Sequence, residues 1–332
     1  MVLDGGEPTL YPALDRIIHA ALETGYKEIN IITNGVVLAD KKKVAKLLNA
    51  HAKAGQKLTF CVSLHSHRRE ISECLTNSKG TFHKTVRGIK NLLAAGFYVS
   101  IYHVITRLNY RELAAFADFV RTEFKGVGVV HFSHIYPTPG LLRNIVIYPR
   151  LSEVPARFNR ARDILKRAGI TPLVTNCGII PWCLMKGIEK LFLKSVRTNR
   201  GALTYDTAKQ DVMPFLREIF KSDGKVKNKE CGRCALDIIC GGIWDFYARL
   251  YGTDELSAFD RDFFRRIPGK KRAVITAGLD GAHEICLRIF DARLKGCSDI
   301  ELRGFRRGPG KRFSAVKDFA REIGFSKIVA KK

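Results

Sequence analysis

Met1-Val2-Leu3-Asp4-Gly5-Gly6-Glu7-Pro8-Thr9-Leu10 opens the chain, and the reading of this stretch decides the fold. A short apolar stub runs straight into two glycines, an acid and a proline. Glycines let the backbone approach a ligand closely and take conformations closed to other residues. Glu7 then sets one carboxylate at the C-terminal edge of a strand, where it can hold a ligand's ammonium.

Working outward, a strand–helix alternation repeats to about residue 170. The strands expected are Met1–Asp4, Ile29–Thr33, Leu58–Leu64, Tyr98–Thr106 and Val127–Ile135, near-continuous apolar runs of the kind buried on both faces of a parallel sheet. The intervening helices are amphipathic: Leu14, Ile17, Ile18, Ala21 and Leu22 share one face, as do Leu113, Phe116, Ala117, Val120 and Phe124. Gly25, Gly55 and Gly96 follow three helices as C-terminal caps, and Asn109 is expected to cap the start of a fourth. Repeated βα units mean a parallel α/β sheet, open or curled into a barrel. Polar residues gather where the strands stop: Glu7, then Thr33-Asn34-Gly35, then Ser63 to Ser66, then Thr106 to Asn109, then Ser133-His134. A helix near Val154–Ala168 closes this region.

The chain has 332 residues with a net charge of +25 and nine cysteines. No stretch approaches the roughly 20 apolar residues a membrane span needs, and the first residues do not form a signal peptide. A cytoplasmic location is therefore expected, where cysteines serve metals or catalysis rather than disulfides. Cys61, Cys74, Cys286 and Cys297 stand singly, and most of them read as buried thiols. Cys231, Cys234 and Cys240 form a CxxCx5C array, with Cys183 as the fourth ligand and Cys177 as the alternate. Four such thiolates suit zinc or a [4Fe–4S] cluster, and spacing alone does not choose. Ser257–Lys271 is polar and basic and reads as a linker. Beyond it the pattern is βαβαβ, and residues 261–332 carry 19 Lys and Arg against 8 Asp and Glu. Arg265-Arg266, Lys270-Lys271-Arg272 and Arg303, Arg306, Arg307, Lys311 and Arg312 are its basic clusters, read as a solvated face or a contact for nucleic acid or another acidic partner.

The Gly5-Gly6-Glu7 segment resembles the second-strand motif of the radical S-adenosylmethionine (SAM) superfamily. The later CxxCx5C array resembles the SPASM or twitch extensions that follow such barrels. Together the resemblances cover residues 1–256. They imply an incomplete (β/α)6 barrel lacking its first βα unit over 1–170, a cysteine-rich auxiliary-cluster extension over 171–256, and a basic α/β tail over 257–332. They also imply that Gly5, Gly6 and Glu7 grip the methionyl amino group of SAM, that Asn34 and Ser63 lie near the ribose or methionyl part, and that Thr106 to Asn109 lie near the ribose or adenine. Cys183, Cys231, Cys234 and Cys240 are then the ligands of an auxiliary [4Fe–4S] cluster.

Family members carry a CxxxCxxC triad upstream of the glycine motif, and no CxxxCxxC occurs among these nine cysteines. Three explanations compete: a start at an internal methionine, a split or degraded gene, or a first βα unit supplied by another chain. The first, an N-terminal truncation, is favoured because a parallel barrel without its first strand would present an open hydrophobic edge. In intact relatives the triad holds a cluster that splits SAM to a 5′-deoxyadenosyl radical. The activity implied is a radical SAM oxidoreductase or maturase that abstracts hydrogen from a peptide or small molecule, fed by an electron donor such as ferredoxin or flavodoxin. The alternative is a non-catalytic fragment with a four-cysteine zinc site and a basic surface.

Overall fold

The computed structural model describes residues 1–51, 57–135, 145–175, 180–185, 187–189, 224–259, 261–277, 281–304 and 311–331. The chain divides into two units, Met1–Tyr136 with Val146–Cys177, and Pro137–Ile145 with Gly178–Lys332.

The first unit is built on six parallel strands: β1 (Val2–Leu3), β2 (Glu28–Thr33), β3 (Lys57–Ser63), β4 (Tyr98–Ile105), β5 (Val129–His134) and β6 (Thr171–Thr175). They lie side by side in sequence order. Doubly wound sheets reverse their order at a switch point; this one does not, which is the arrangement of a partial (β/α) barrel. The crossovers contain α1 (Leu14–Glu23), α2 (Lys41–His51), α3 (Arg69–Leu75), α4 (Phe82–Ala94), α5 (Leu113–Glu123) and α6 (Val154–Arg167). Apolar side chains of alternate strand positions meet these helices. Phe132 packs edge-on against Phe158 of α6, and His103 lies 4.1 Å, ring to ring, from Phe116 of α5.

Because strand side chains alternate between faces, the positions between those contacts point to the inner face. On β3, β4 and β5 these are Thr59, Cys61 and Ser63, then Ser100, Tyr102 and Val104, then Val129, His131 and Ser133. Register places Ser63 beside Tyr102 and Tyr102 beside His131. Where the sequence reads as strands apolar on both faces, the structure has an apolar helix-facing surface and a largely polar inner one. It also adds β6, which the sequence reading leaves out. Pro172 interrupts the apolar run there, and proline is tolerated because β6 is an edge strand paired only with β5.

The second unit holds the described cysteines of the array and the tail. A short antiparallel pair, β7 (Lys225–Val226) and β8 (Ile243–Trp244), leads into α7 (Asp245–Tyr251) and α8 (Arg261–Arg265). Then β9 (Lys271–Thr276), α9 (Ala282–Leu294), β10 (Cys297–Arg303), α10 (Lys311–Glu322) and β11 (Lys327–Lys331) form a three-stranded parallel sheet in the order β11-β10-β9. The βαβαβ expectation for the tail is met.

The linker expected over Ser257–Lys271 is not one. Phe259 and Phe264 are buried, and Phe264 packs on Phe290 of α9. Trp182 meets the same Phe290 ring and donates its indole N–H to Ile239 O at 3.1 Å. Arg293 of α9 is buried and donates to the carbonyls of Ile267 and Ile323, both at 3.1 Å, and of Phe264. A guanidinium spent wholly on backbone carbonyls ties α8, α9 and the end of α10 together. The cysteine-rich segment and the tail therefore share one core. Cys61, Cys286 and Cys297 are buried as expected, while Cys74, on α3, is exposed.

Candidate functional site

The glycine loop leaves β1 and crosses the end of β2. Gly5 sits at φ +100°, a left-handed conformation that favours glycine, and a side chain added at Gly5 or Gly6 would meet nothing within 4 Å. The loop is thus bare and open on one side. Pro8–Leu10 forms a 3₁₀ turn for which Glu7 is the N-cap, its carboxylate accepting from Thr9 N.

Glu7 is the hub. Its Oε1 accepts from Thr9 N at 3.1 Å, Thr9 Oγ1 at 2.6 Å and Thr33 Oγ1 at 2.6 Å. Its Oε2 accepts from Asn34 N at 2.7 Å. A carboxylate offers about four acceptor positions over two oxygens. Three donors fill Oε1, so the capacity that remains is on Oε2. Thr33, the last residue of β2, also accepts from Gly35 N at 3.0 Å. Asn34 O receives Thr85 Oγ1 of α4 at 2.9 Å. Gly88 of α4 lies so close that an added Cβ would stand 2.2 Å from Gly35 O. The ends of β1 and β2 and one face of α4 are therefore locked together around one carboxylate.

The other sequence-derived positions divide in two. Ser63, half-buried at the end of β3, is on the inner face beside Tyr102. Thr106 and Asn109 are buried. Thr106 Oγ1 accepts from Leu108 N at 3.2 Å. Asn109 does not cap a helix with its side chain. It spends both amide hydrogens on His65 O, at 2.7 Å, and Val104 O, at 2.8 Å, and its Oδ1 accepts Thr106 N at 2.7 Å. It pins the end of β4 to the end of β3 and has no amide hydrogen left for a ligand.

His65 Nδ1 accepts from Val104 N at 3.2 Å, and burial pulls its pKa down to about 4. The neutral ring carries its proton on Nε2. His134 falls on the helix-facing side with Phe132, and burial depresses it to about 3. Tyr136 lies outside the described residues. Tyr102 and His131 are the inner-face residues that sequence reading passed over. Their rings are 6.2 Å apart, and burial lowers the His131 pKa. The signal was available in the polar alternation Ser100-Tyr102 and His131-Ser133 inside apolar runs.

The cysteine segment is a separate arrangement within the second unit. Burial raises the Cys183 pKa to about 11, and repulsion from Cys240, Cys234 and Cys231 adds to it. Burial likewise raises Cys234. Cys234 Sγ accepts the backbone N–H of Leu236 at 3.4 Å and of Phe259 at 3.3 Å, the kind of donors that stabilise a ligating thiolate. As the side chains stand, no three Cys, His, Asp or Glu among the described residues converge closely enough to hold a metal ion. Cys177 lies outside the described residues.

The basic clusters are partly neutralised. Arg265 pairs with Asp262 at 2.9 Å, Arg303 with buried Glu301 at 2.6 Å, and Arg272 with the same Glu301. Arg306 and Arg307 lie outside the described residues. No helix among the described residues is long and apolar enough to cross a membrane.

Residues 1–120 match the Radical SAM superfamily. A protein of Saccharolobus islandicus named "Probable GTP 3',8-cyclase" is 30% identical over 136 residues, 41% of each chain. One of the same name from Sulfurisphaera tokodaii is 31% identical over 150 residues, 44% of each. The match thus spans less than half the length of these curated relatives. Among solved structures, Streptococcus suis SuiB bound to S-adenosylmethionine aligns with 53% of this chain and 37% of its own, at 17% identity and a TM-score of 0.40. A radical SAM methyltransferase from Sphaerobacter thermophilus aligns with 53% of this chain and 50% of its own, at 20% identity and a TM-score of 0.38. The family match begins at β1, takes in the loop that carries Glu7, and runs through β2, β3 and β4 into α5, so it is residues 1–120 of this chain that are similar to the radical SAM superfamily.

Proposed function

We propose that the first unit binds SAM across the C-terminal ends of its strands, with the methionyl ammonium on Glu7 Oε2. The observation that carries this is the Glu7 network: a carboxylate fixed by four donors with its remaining capacity on one oxygen, beside a bare glycine loop. Ser63 and Asn34 are read as the residues that meet the ribose or methionyl part. Thr106 and Asn109 support the wall from behind. Tyr102 and His131 line the inner face where the substrate would lie.

SAM in this family supplies a carbon radical for hydrogen abstraction, generated at a [4Fe–4S] cluster. This chain has no CxxxCxxC to hold that cluster. The reading is of a radical SAM oxidoreductase or maturase domain acting on a peptide or small molecule, with reducing equivalents from a ferredoxin- or flavodoxin-like donor. The nucleotide in the name of the curated relatives belongs to those proteins and is one small-molecule class to test. The four cysteines Cys183, Cys231, Cys234 and Cys240 are read as ligands of an auxiliary [4Fe–4S] cluster. Anaerobic metal analysis returning iron and sulfide would support that centre; zinc without sulfide would replace it with a structural zinc site.

The test of the SAM site is an NMR titration of the protein and of Glu7→Ala. Loss of a charged hydrogen-bond partner should weaken SAM about tenfold or more. Equal affinity in the two proteins would overturn the reading.

A further inference from the structure

We infer that the hydroxyls of Thr33 and Thr9 are positioning groups that aim Glu7, holding Oε1 so that Oε2 alone is presented to a ligand's ammonium. This rests on the SAM reading above and names residues that the glycine motif does not contain.

The two threonines reach the same oxygen from different elements. Thr9 is two residues beyond Glu7 and belongs to the same turn, so its contact is local. Thr33 is 26 residues away, at the end of the neighbouring strand. Its side chain is buried, and its hydroxyl has one hydrogen to give. That hydrogen goes to Glu7 Oε1 at 2.6 Å, while the hydroxyl oxygen receives Gly35 N–H at 3.0 Å. The direction of both bonds is set, because the backbone amide can only donate and the carboxylate accepts. The hydroxyl therefore links the glycine loop after β1 to the turn after β2.

The consequence is geometric. Without Thr33, Glu7 Oε1 keeps only the contacts of its own turn, to Thr9, and loses the one side-chain donor that reaches it from the neighbouring strand. With Thr33 and Thr9 in place, the oxygen crowded by three donors is closed to a further one. The oxygen with a single donor is left for the ligand. The arrangement selects a cation that donates hydrogen bonds, such as the ammonium of an amino-acid arm, and it leaves recognition of an adenosine moiety to other residues.

This separation gives the experiment. SAM and 5′-methylthioadenosine share the adenosine, but only SAM carries the ammonium. Both would be titrated by NMR into the wild-type chain, Thr33→Val and Thr33→Ser. The wild type should prefer SAM. Thr33→Val, which keeps the shape and loses the hydroxyl, should weaken SAM about fivefold or more and change 5′-methylthioadenosine by less than about twofold. Thr33→Ser, which restores the hydroxyl, should recover SAM binding to within about twofold of wild type. If Thr33→Val weakens both ligands alike, or neither, the positioning role is overturned while the SAM site stands. If the wild type itself does not prefer SAM, the Glu7–ammonium contact fails, and the positioning role with it. Should Thr33→Val not fold, Thr9→Val removes a hydroxyl from the same oxygen and is read by the same criteria.

Discussion

Asn109 and Glu7 both stand at strand ends, and their side chains are spent in opposite ways. Asn109 donates both amide hydrogens to backbone carbonyls at the β3 and β4 ends and accepts Thr106 N–H on its own oxygen, and it is 2% exposed. Replacing it with alanine strands a buried N–H and two carbonyls, at a cost of about 3 kcal/mol in stability. Urea unfolding of Asn109→Ala should show that loss, and SAM affinity at low urea should stay within about threefold of wild type. A large loss of affinity with unchanged stability would instead return Asn109 to the ligand. Both residues were legible as polar groups at strand ends. Their division of labour was not, because a sequence shows which residues end strands and not which carbonyls face them. Thr33 reads in the sequence only as a polar residue at a strand end, and its role appears once β1 and β2 are seen to be neighbours.

At the scale of elements, the tightest packing near the site is between α4 and the turn after β2. Gly88 is inside a helix, where glycine is unfavourable by roughly 1 kcal/mol against alanine. Its missing side chain is what lets Gly35 O approach. Gly88→Ala therefore gains helix propensity and still should lose stability, by about 2 kcal/mol, because backbone must shift. It should also weaken SAM binding, since the displaced turn carries the Asn34 N–H that Glu7 Oε2 accepts. Calorimetry and the same titration check both arms, and a stabilised Gly88→Ala would contradict the packing. Five of the six strands, their helices and the βαβαβ tail were readable from periodicity. β6 was hidden by Pro172, and the inner polar face by apolar neighbours that dominate each run. Residues 257–271 were misread for a related reason: Arg, Asp and Lys set the composition, while Phe259 and Phe264 set the packing.

At the scale of the whole molecule, the first unit buries neutral histidines. Burial holds His103 at about 3, His134 at about 3 and His65 at about 4. His103 hydrogen-bonds Leu64 O through Nδ1, which leaves Nε2 without a partner among the rings of Phe116 and Phe132. An unfolded histidine titrates near 6.5. Between that value and the depressed ones the unfolded chain binds more protons than the folded chain, so stability falls as pH is lowered through this window and is fully present above it. The melting temperature should drop by about 5 °C or more between pH 7 and pH 4.5, and His103→Gln should make the slope shallower. A flat profile would show that these rings are already solvated.

The central claim is that Glu7 is an ammonium acceptor aimed by its own chain. A crystal structure of the protein grown with excess SAM tests it most directly. The account predicts the methionyl nitrogen within hydrogen-bond distance of Glu7 Oε2, about 2.8–3.2 Å, with Thr33 and Thr9 still on Oε1. SAM bound elsewhere, or lying at the strand ends with its nitrogen turned away from Glu7, would contradict it.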